Sequence, residues 1–219
     1  MRDQVVRDAM LLYGVTDRAW LRGRGLSEQV EEALRGGVTC IQLREKDMSE
    51  SEFLAAAMEL REVCRRYGVP FVVNDNVAVA VACGADGIHV GQKDMAVSDV
   101  RARIGESMIL GVSVQTVEQA VAAVVHGADY LGVGAVFATS TKGDADSVSL
   151  SILGEICAAV EVPVCAIGGI TAENLSLLAG SGIDGVAVVS AIFAQEDIET
   201  ACRSLSARAR GLRDGKCVF

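Results

Sequence analysis

Gln42, Arg44 and Lys46 follow the apolar run Val38-Thr39-Cys40-Ile41 at every second position. Alternate side chains of an extended strand share a face, so these three form a fork of donors aimed at one spot. A single run of this kind is equally well read as a salt-bridged strand end at the surface. Here it recurs. Phe71-Val72-Val73 ends in Asn74-Asp75, Ile88-His89-Val90 ends in Gly91-Gln92-Lys93-Asp94, and Ile109-Leu110 ends in Gly111-Val112-Ser113. Repeated polar strand ends point to one shared site.

Asp75 and Asp94 close two runs that would be neighbouring strands, so their carboxylates can meet over one cation. Magnesium suits such a place, because it takes few carboxylates and keeps waters and phosphate oxygens as its other ligands. The structural alternative makes Asp75 an N-cap for a helix at Val77 and Asp94 a turn residue. Beside Arg44 and Lys46 the pair favours magnesium with a phosphate. Further on, Thr139-Ser140-Thr141-Lys142 offers three hydroxyls and an ammonium, and Ile167-Gly168-Gly169-Ile170 and Val188-Val189-Ser190 follow the last two apolar runs. Loop amides in those positions bind phosphate in many barrels, and glycine permits the close backbone approach. The residues thus give two anion sites in one mouth, a layout suited to joining two phosphorylated small molecules. His126, at a helix end, reads as structural, and His89, inside a strand, as a supporting partner at most.

The elements that would hold these residues alternate along the whole chain. Strands are expected near 11–16, 38–43, 70–74, 86–90, 108–113, 129–134, 163–167 and 185–189. Helical patterns cover 27–35, 49–67, 77–83, 117–125, 150–160, 171–179 and 196–210. Ser49 and Thr171 look like N-caps, and Ser49 with Glu52 completes a capping box. Gly-Ala-Asp opens strands at 84–86 and 127–129, and Gly-Ile-Asp does so at 182–184. A strand-helix unit repeated eight times predicts an α/β fold, a (β/α)8 barrel in one domain over residues 1–219, with its site at the C-terminal strand ends. An open dinucleotide-binding sheet would carry GxGxxG in its first turn, where Thr16-Asp17-Arg18-Ala19 stands instead. About the first ten residues and the tail from Gly211 are left unassigned. Gly14, unusual within a strand, is expected to widen the pocket floor.

Composition agrees. The 219 residues are 51% hydrophobic but only 4% aromatic, with 23 glycines, as an aliphatic core with tight turns requires. A formal charge of −9 argues against a nucleic-acid partner, so any anionic ligand must be held locally. The charged N-terminus lacks a signal-peptide stretch and no run would span a bilayer, so the expectation is a cytoplasmic protein without a membrane partner. The seven cysteines show no metal-ligand spacing and read as small buried hydrophobes.

The ordered set Gln-Leu-Arg-Glu-Lys at 42–46, Val-Asn-Asp at 73–75, His-Val-Gly-Gln-Lys-Asp at 89–94, Gly-Val-Ser at 111–113, Thr-Ser-Thr-Lys at 139–142, Ile-Gly-Gly-Ile at 167–170 and Val-Val-Ser at 188–190 resembles the thiamine-phosphate synthase family. The resemblance implies transfer of a hydroxymethylpyrimidine diphosphate onto a thiazole phosphate, with release of diphosphate through a pyrimidine methylene cation. It assigns Gln42, Leu43, Arg44, Glu45, Lys46, Asn74, Ser113 and Lys142 to the pyrimidine diphosphate, with Lys46, Ser113 and Lys142 as catalytic. It assigns Thr139, Ser140, Thr141, Gly169, Val189 and Ser190 to the thiazole phosphate, and Asp75 and Asp94 to Mg2+. Ser140 departs from the proline often found there in the family. The rival readings are a thiazole tautomerase of related sequence, which would need neither the fork nor both aspartates, and a non-catalytic sensor of thiamine precursors.

Overall fold

A parallel sheet built from short aliphatic runs can bury both faces by closing on itself inside a ring of helices. The computed structural model, which describes residues 2–139 and 147–213, shows this arrangement. Its strands are β1 (Leu12–Val15), β2 (Cys40–Leu43), β3 (Phe71–Asn74), β4 (Gly87–Val90), β5 (Ile109–Val114), β6 (Tyr130–Val133), β7 (Val164–Ile167) and β8 (Gly185–Val188). Each pairs in parallel with the next, and β8 returns to β1, so all eight expected strands form one closed barrel.

The helices are α1 (Arg2–Ala9), α2 (Leu26–Arg35), α3 (Glu50–Tyr67), α4 (Val77–Cys83), α5 (Val97–Ile104), α6 (Val117–Val125), α7 (Leu150–Ala159), α8 (Ser190–Phe193) and α9 (Ile198–Arg213). Ser49 starts α3 with the expected capping box to Glu52. Several elements differ from expectation: α5 and the short α8 are not among the helical patterns, and two further differences have a visible cause. The first residues form α1, whose Val6 and Ala9, with the following Met10, pack under the barrel against Tyr13, Cys40, Tyr130, Cys165 and Ala187. The helix expected over 171–179 is only a 3-10 turn, Leu175–Leu178. Asn174 is the reason: its side chain accepts from the Thr171 amide at 2.8 Å and donates to the Gly169 carbonyl at 2.8 Å, holding the segment as a loop.

Strand parity sets what faces the axis. Tyr13 and Val15 point inward with Cys40, Val72, Tyr130, Cys165 and Ala187, whereas Leu12, Ile41, Leu43 and Val73 pack outward under the helices. Gly14 belongs to the outer set. A Cβ there would meet Ile41, Val38 and Ile192 at 3.2–3.7 Å, so this glycine does not widen the pocket floor. The six described cysteines are buried or half-buried. Burial raises all their thiols, Cys64 and Cys202 to about 12 and Cys157 to about 11, so they stay protonated and inert. Cys217 lies outside the described residues. No described helix is long and apolar enough to cross a membrane.

The recurring strand beginnings are clamps. The Asp86 carboxylate accepts from the Phe71 amide at 2.9 Å, Asp129 from Leu110 at 2.8 Å and Asp184 from Val164 at 2.8 Å. In return, the amide of each aspartate donates to the carbonyl of that same residue, at 2.7–3.0 Å. Thr39 makes the fourth clamp, its hydroxyl taking the Leu12 amide at 2.9 Å while its own amide returns to Leu12. Each even strand therefore enters the barrel locked to the odd strand before it. Asp129 also pairs with Arg101 at 2.7 Å, and that guanidinium binds the carbonyls of Gly105, Met108 and Gly127.

These contacts rank the clamps. Asp129→Ala strands both the Leu110 amide and the Arg101 guanidinium and is expected to cost roughly 2–4 kcal/mol in urea unfolding. Asp86→Ala, which loses the amide alone, should cost about 1–2 kcal/mol. Equal costs would show that the Arg101 hub adds nothing.

Candidate active site

The C-terminal strand ends carry a polar lining on an aliphatic barrel. Gln42, 5% exposed, donates from Nε2 to the Tyr13 hydroxyl at 2.8 Å. Tyr13 and Tyr130 share a hydroxyl contact of 2.9 Å across the axis, with rings edge to face. The Tyr130 hydroxyl lies 2.9 Å from His89 Nδ1, and His89 Nε2 lies 2.8 Å from Ser113 Oγ. Gln42 and Ser113, read from the sequence as ligands of one substrate, are thus the two ends of one buried file. Burial pushes both phenols well above the usual tyrosine range, so both keep their protons.

Two glycines make room for the file. A Cβ at Gly111 would overlap the Tyr130 ring, and one at Gly132 would lie 3.1 Å from His89 Cε1. Sequence reasoning missed Tyr13 and Tyr130, because a tyrosine in an apolar strand reads as ordinary core. Gly111, facing Tyr130 across the β5–β6 pair, was the available signal for one of them. His126 caps α6, Nδ1 lying 2.7 Å from the Ala122 carbonyl, in keeping with a structural role.

The rest of the fork divides by parity. Arg44 is half-buried and Lys46 exposed, and neither forms an ion pair with another described residue. Glu45 pairs instead with Arg18 at 2.7 Å, its side chain only 6% exposed. Leu43 is fully buried in the outer layer, so its side chain does not reach the mouth and only its backbone remains for a ligand. Thr16 ties the first two strand ends, donating its amide to the Gln42 carbonyl and taking the Arg44 amide on its hydroxyl at 3.1 Å.

Asn74 pairs in register with His89, and the Asp75 amide donates to the His89 carbonyl at 2.8 Å. The N-cap of α4 is Asn76, whose Oδ1 takes the Val79 amide at 2.9 Å, so Asp75 has no capping task. Asp75 is exposed and holds φ at 61°, a left-handed backbone that is uncommon without glycine and concentrated at functional sites. Asp94 does serve its turn, Oδ2 accepting from the Gly91 amide at 2.7 Å. No cluster of three His, Cys, Asp or Glu occurs among the described residues. Two exposed carboxylates on adjacent strand ends fit magnesium, which retains waters and phosphate oxygens, and do not fit a closed protein cage.

Across the mouth, Gly168 and Gly169 have φ of 100° and 63°. Their hydrogens face the loop after β6: a Cβ would overlap Ala135 at one and the Ala138 carbonyl at the other. Loop packing alone therefore demands both glycines, and Phe137 closes the contact by donating to the Gly168 carbonyl at 3.1 Å. Val189 and Ser190 are half-buried at the start of α8, and Thr139 is half-buried at the end of the described loop. Ser140, Thr141 and Lys142 lie outside the described residues.

Comparison with known proteins places this geometry. The profile of a family described as thiamine monophosphate synthase matches residues 12–192. A thiamine-phosphate synthase of Clostridium tetani is 49% identical over 89% of this chain and 93% of its own length. One from Clostridioides difficile is 49% identical over 88% and 92%. The solved structure of a thiamine phosphate pyrophosphorylase from Pyrococcus furiosus superposes with a TM-score of 0.88 at 38% identity, covering 94% of this chain and 98% of the other.

The polar file needs its ring space. Gly111→Ala is expected to displace Tyr130 and to cost about 1–3 kcal/mol, as overpacking does. Urea unfolding gives the cost and tyrosine second-derivative absorbance reports the displaced phenol. Wild-type values in both would mean that Tyr130 does not sit over Gly111.

Proposed function

The chain belongs to the thiamine monophosphate synthase family, and from that premise we propose that it joins a pyrimidine methyl diphosphate to a thiazole phosphate, forming thiamine phosphate and diphosphate in the cytoplasm. The observation that carries this reading is the cationic fork. On a chain of charge −9, Arg44 and Lys46 stay clear of every described carboxylate, while Glu45 is turned away to Arg18. Unneutralised cations at a barrel mouth are what a diphosphate requires.

In this reading Gln42 and Ser113 face the pyrimidine, Arg44, Lys46 and Asn74 face its diphosphate, and Lys142 would add a further charge to bind it. The bond between the methylene carbon and the diphosphate oxygen breaks with its electrons leaving on oxygen. The thiazole nitrogen then gives its lone pair to the resulting cation. No strong base is needed, and the machinery is positive charge placed where negative charge accumulates. Asp75 and Asp94 would hold Mg2+, which when bound adds charge stabilisation to the departing diphosphate. Thr139, Ser140 and Thr141 with the backbone at Gly169, Val189 and Ser190 would hold the thiazole phosphate on the other side. Gly169→Val would be a poor test of that subsite, since it disturbs the loop packing itself.

Phosphorus NMR of the chain with both substrates and magnesium is expected to show diphosphate and thiamine phosphate appearing together. Isomerisation of the thiazole phosphate alone, without diphosphate, would instead identify a tautomerase. Asp75→Asn tolerates the same φ, and Asp94→Asn keeps an oxygen for the Gly91 amide, so both isolate the charge. Each is expected to lower kcat on the order of 100-fold. Wild-type rates for both at low magnesium would remove the metal from these residues. Lys46→Met should weaken the pyrimidine substrate and leave the KM for thiazole phosphate within roughly twofold of wild type, because a point charge is lost on one side only. Equal losses for both substrates would contradict two separate anion sites.

A further inference from the structure

Five side chains from β1, β2, β4, β5 and β6 stand in single file through the top of the barrel: Gln42, Tyr13, Tyr130, His89 and Ser113. Each hydroxyl in such a file carries one proton, and with these neighbours every O–H is paired only when the donors all run in one direction. The direction is set at the amide end. Gln42 Nε2 can only donate, so the Tyr13 hydroxyl, having accepted there, gives its proton to Tyr130. Tyr130 then gives its proton to His89 Nδ1, which places the imidazole proton on Nε2 and aims it at Ser113 Oγ. Ser113 accepts from the protein and is left with its own O–H to donate.

We infer that Tyr13, Tyr130 and His89 are positioning residues that fix Ser113 as a hydrogen-bond donor toward the bound pyrimidine diphosphate and couple it to the amide orientation of Gln42. This rests on the placement of that substrate against Gln42 and Ser113. The walls around the file support a fixed direction. Both phenols are held protonated by burial, and Gly111 and Gly132 leave space for the Tyr130 ring and the imidazole and for little else. Protonating His89 would make Nδ1 a donor and reverse every bond back to Gln42, whose carbonyl oxygen would have to replace its amino group. The substrate-facing end of Gln42 and the hydroxyl of Ser113 are therefore not independent. An acceptor atom on the ligand, whether a ring nitrogen or a diphosphate oxygen, matches a donor at Ser113.

The chain has only two histidines, so nitrogen-15 labelling of histidine gives two resolvable imidazoles, and His89→Gln assigns them. In the substrate-free wild type, His89 is expected to show a pyrrole-like Nε2 and a pyridine-like Nδ1. The opposite tautomer would overturn the inference. Tyr130→Phe keeps the ring over Gly111 but removes the donor to Nδ1, so the two nitrogen shifts should converge as tautomers mix. The same variant should lower kcat/KM for the pyrimidine diphosphate about 10-fold, the effect of one lost hydrogen bond at the reacting substrate. KM for the thiazole phosphate should stay within roughly twofold, since only one side of the mouth is disturbed. Tyr13→Phe leaves the Tyr130 donor in place, so its tautomer should stay like wild type and its kinetic loss should be smaller. Unchanged kcat/KM in Tyr130→Phe, or an equal loss for both substrates, would reduce the file to packing. Ser113→Ala separates the failures: wild-type kinetics there would contradict the substrate placement, while the tautomer in free protein judges the file itself.

Discussion

The contact between the Tyr13 and Tyr130 hydroxyls, 2.9 Å and fully buried, joins opposite walls of the barrel at the level where apolar core gives way to polar site. Two phenols cannot be buried there without partners, since each unpaired group would cost a large part of the stability of a single domain. Their partners are other buried polar groups, Gln42 on one side and His89 on the other, and these in turn end at the mouth. Satisfying two tyrosines in the core therefore determines how side chains on β2 and β5 present themselves to a ligand. Below that level the interior is valine, cysteine, alanine and methionine, closed from beneath by α1.

The two ends of the barrel divide the work. At the entry end, Thr39, Asp86, Asp129 and Asp184 each lock an even strand to its odd neighbour, their oxygens held by backbone amides and, at Asp129 and Asp184, by Arg101 and Arg7 as well. At the exit end, Arg44 and Lys46 keep clear of the described carboxylates and Asp75 holds an uncommon backbone conformation. A barrel commonly separates stability from chemistry in this way, since its loops can vary over a closed scaffold. The aspartates at 86, 129 and 184 serve architecture, and those at 75 and 94 stand in the mouth.

Much of this was legible in the chain because glycine, proline or aspartate precedes every strand from β2 on, and a βα repeat leaves few topologies open. Strand ends such as Val73-Asn74-Asp75 were readable since polar residues closing an apolar run need a reason to be there. What escaped the sequence was parity. In strands apolar on both faces, period-two alternation does not say which set faces the axis, so Gly14 was expected in the pocket and lies outside it, while Tyr13 beside it was passed over. α1 escaped for a related reason, as a charged segment shows its apolar side only when the barrel base it covers is known. The 3-10 turn after β7 escaped because Asn174 prefers two backbone partners in the loop to starting a helix.

If the phenol file acts on the substrate through Ser113, a double-mutant cycle on kcat/KM for the pyrimidine diphosphate exposes the coupling. With serine at 113, Tyr130→Phe removes the bond that fixes the His89 tautomer and, through it, the hydroxyl. With alanine there, no hydroxyl remains to orient. The cycle of Tyr130→Phe with Ser113→Ala is therefore expected to be strongly non-additive, the tyrosine change costing little once the serine is gone. Additive losses would mean that Tyr130 and Ser113 act on the reaction independently and that the file orients no hydroxyl for the substrate.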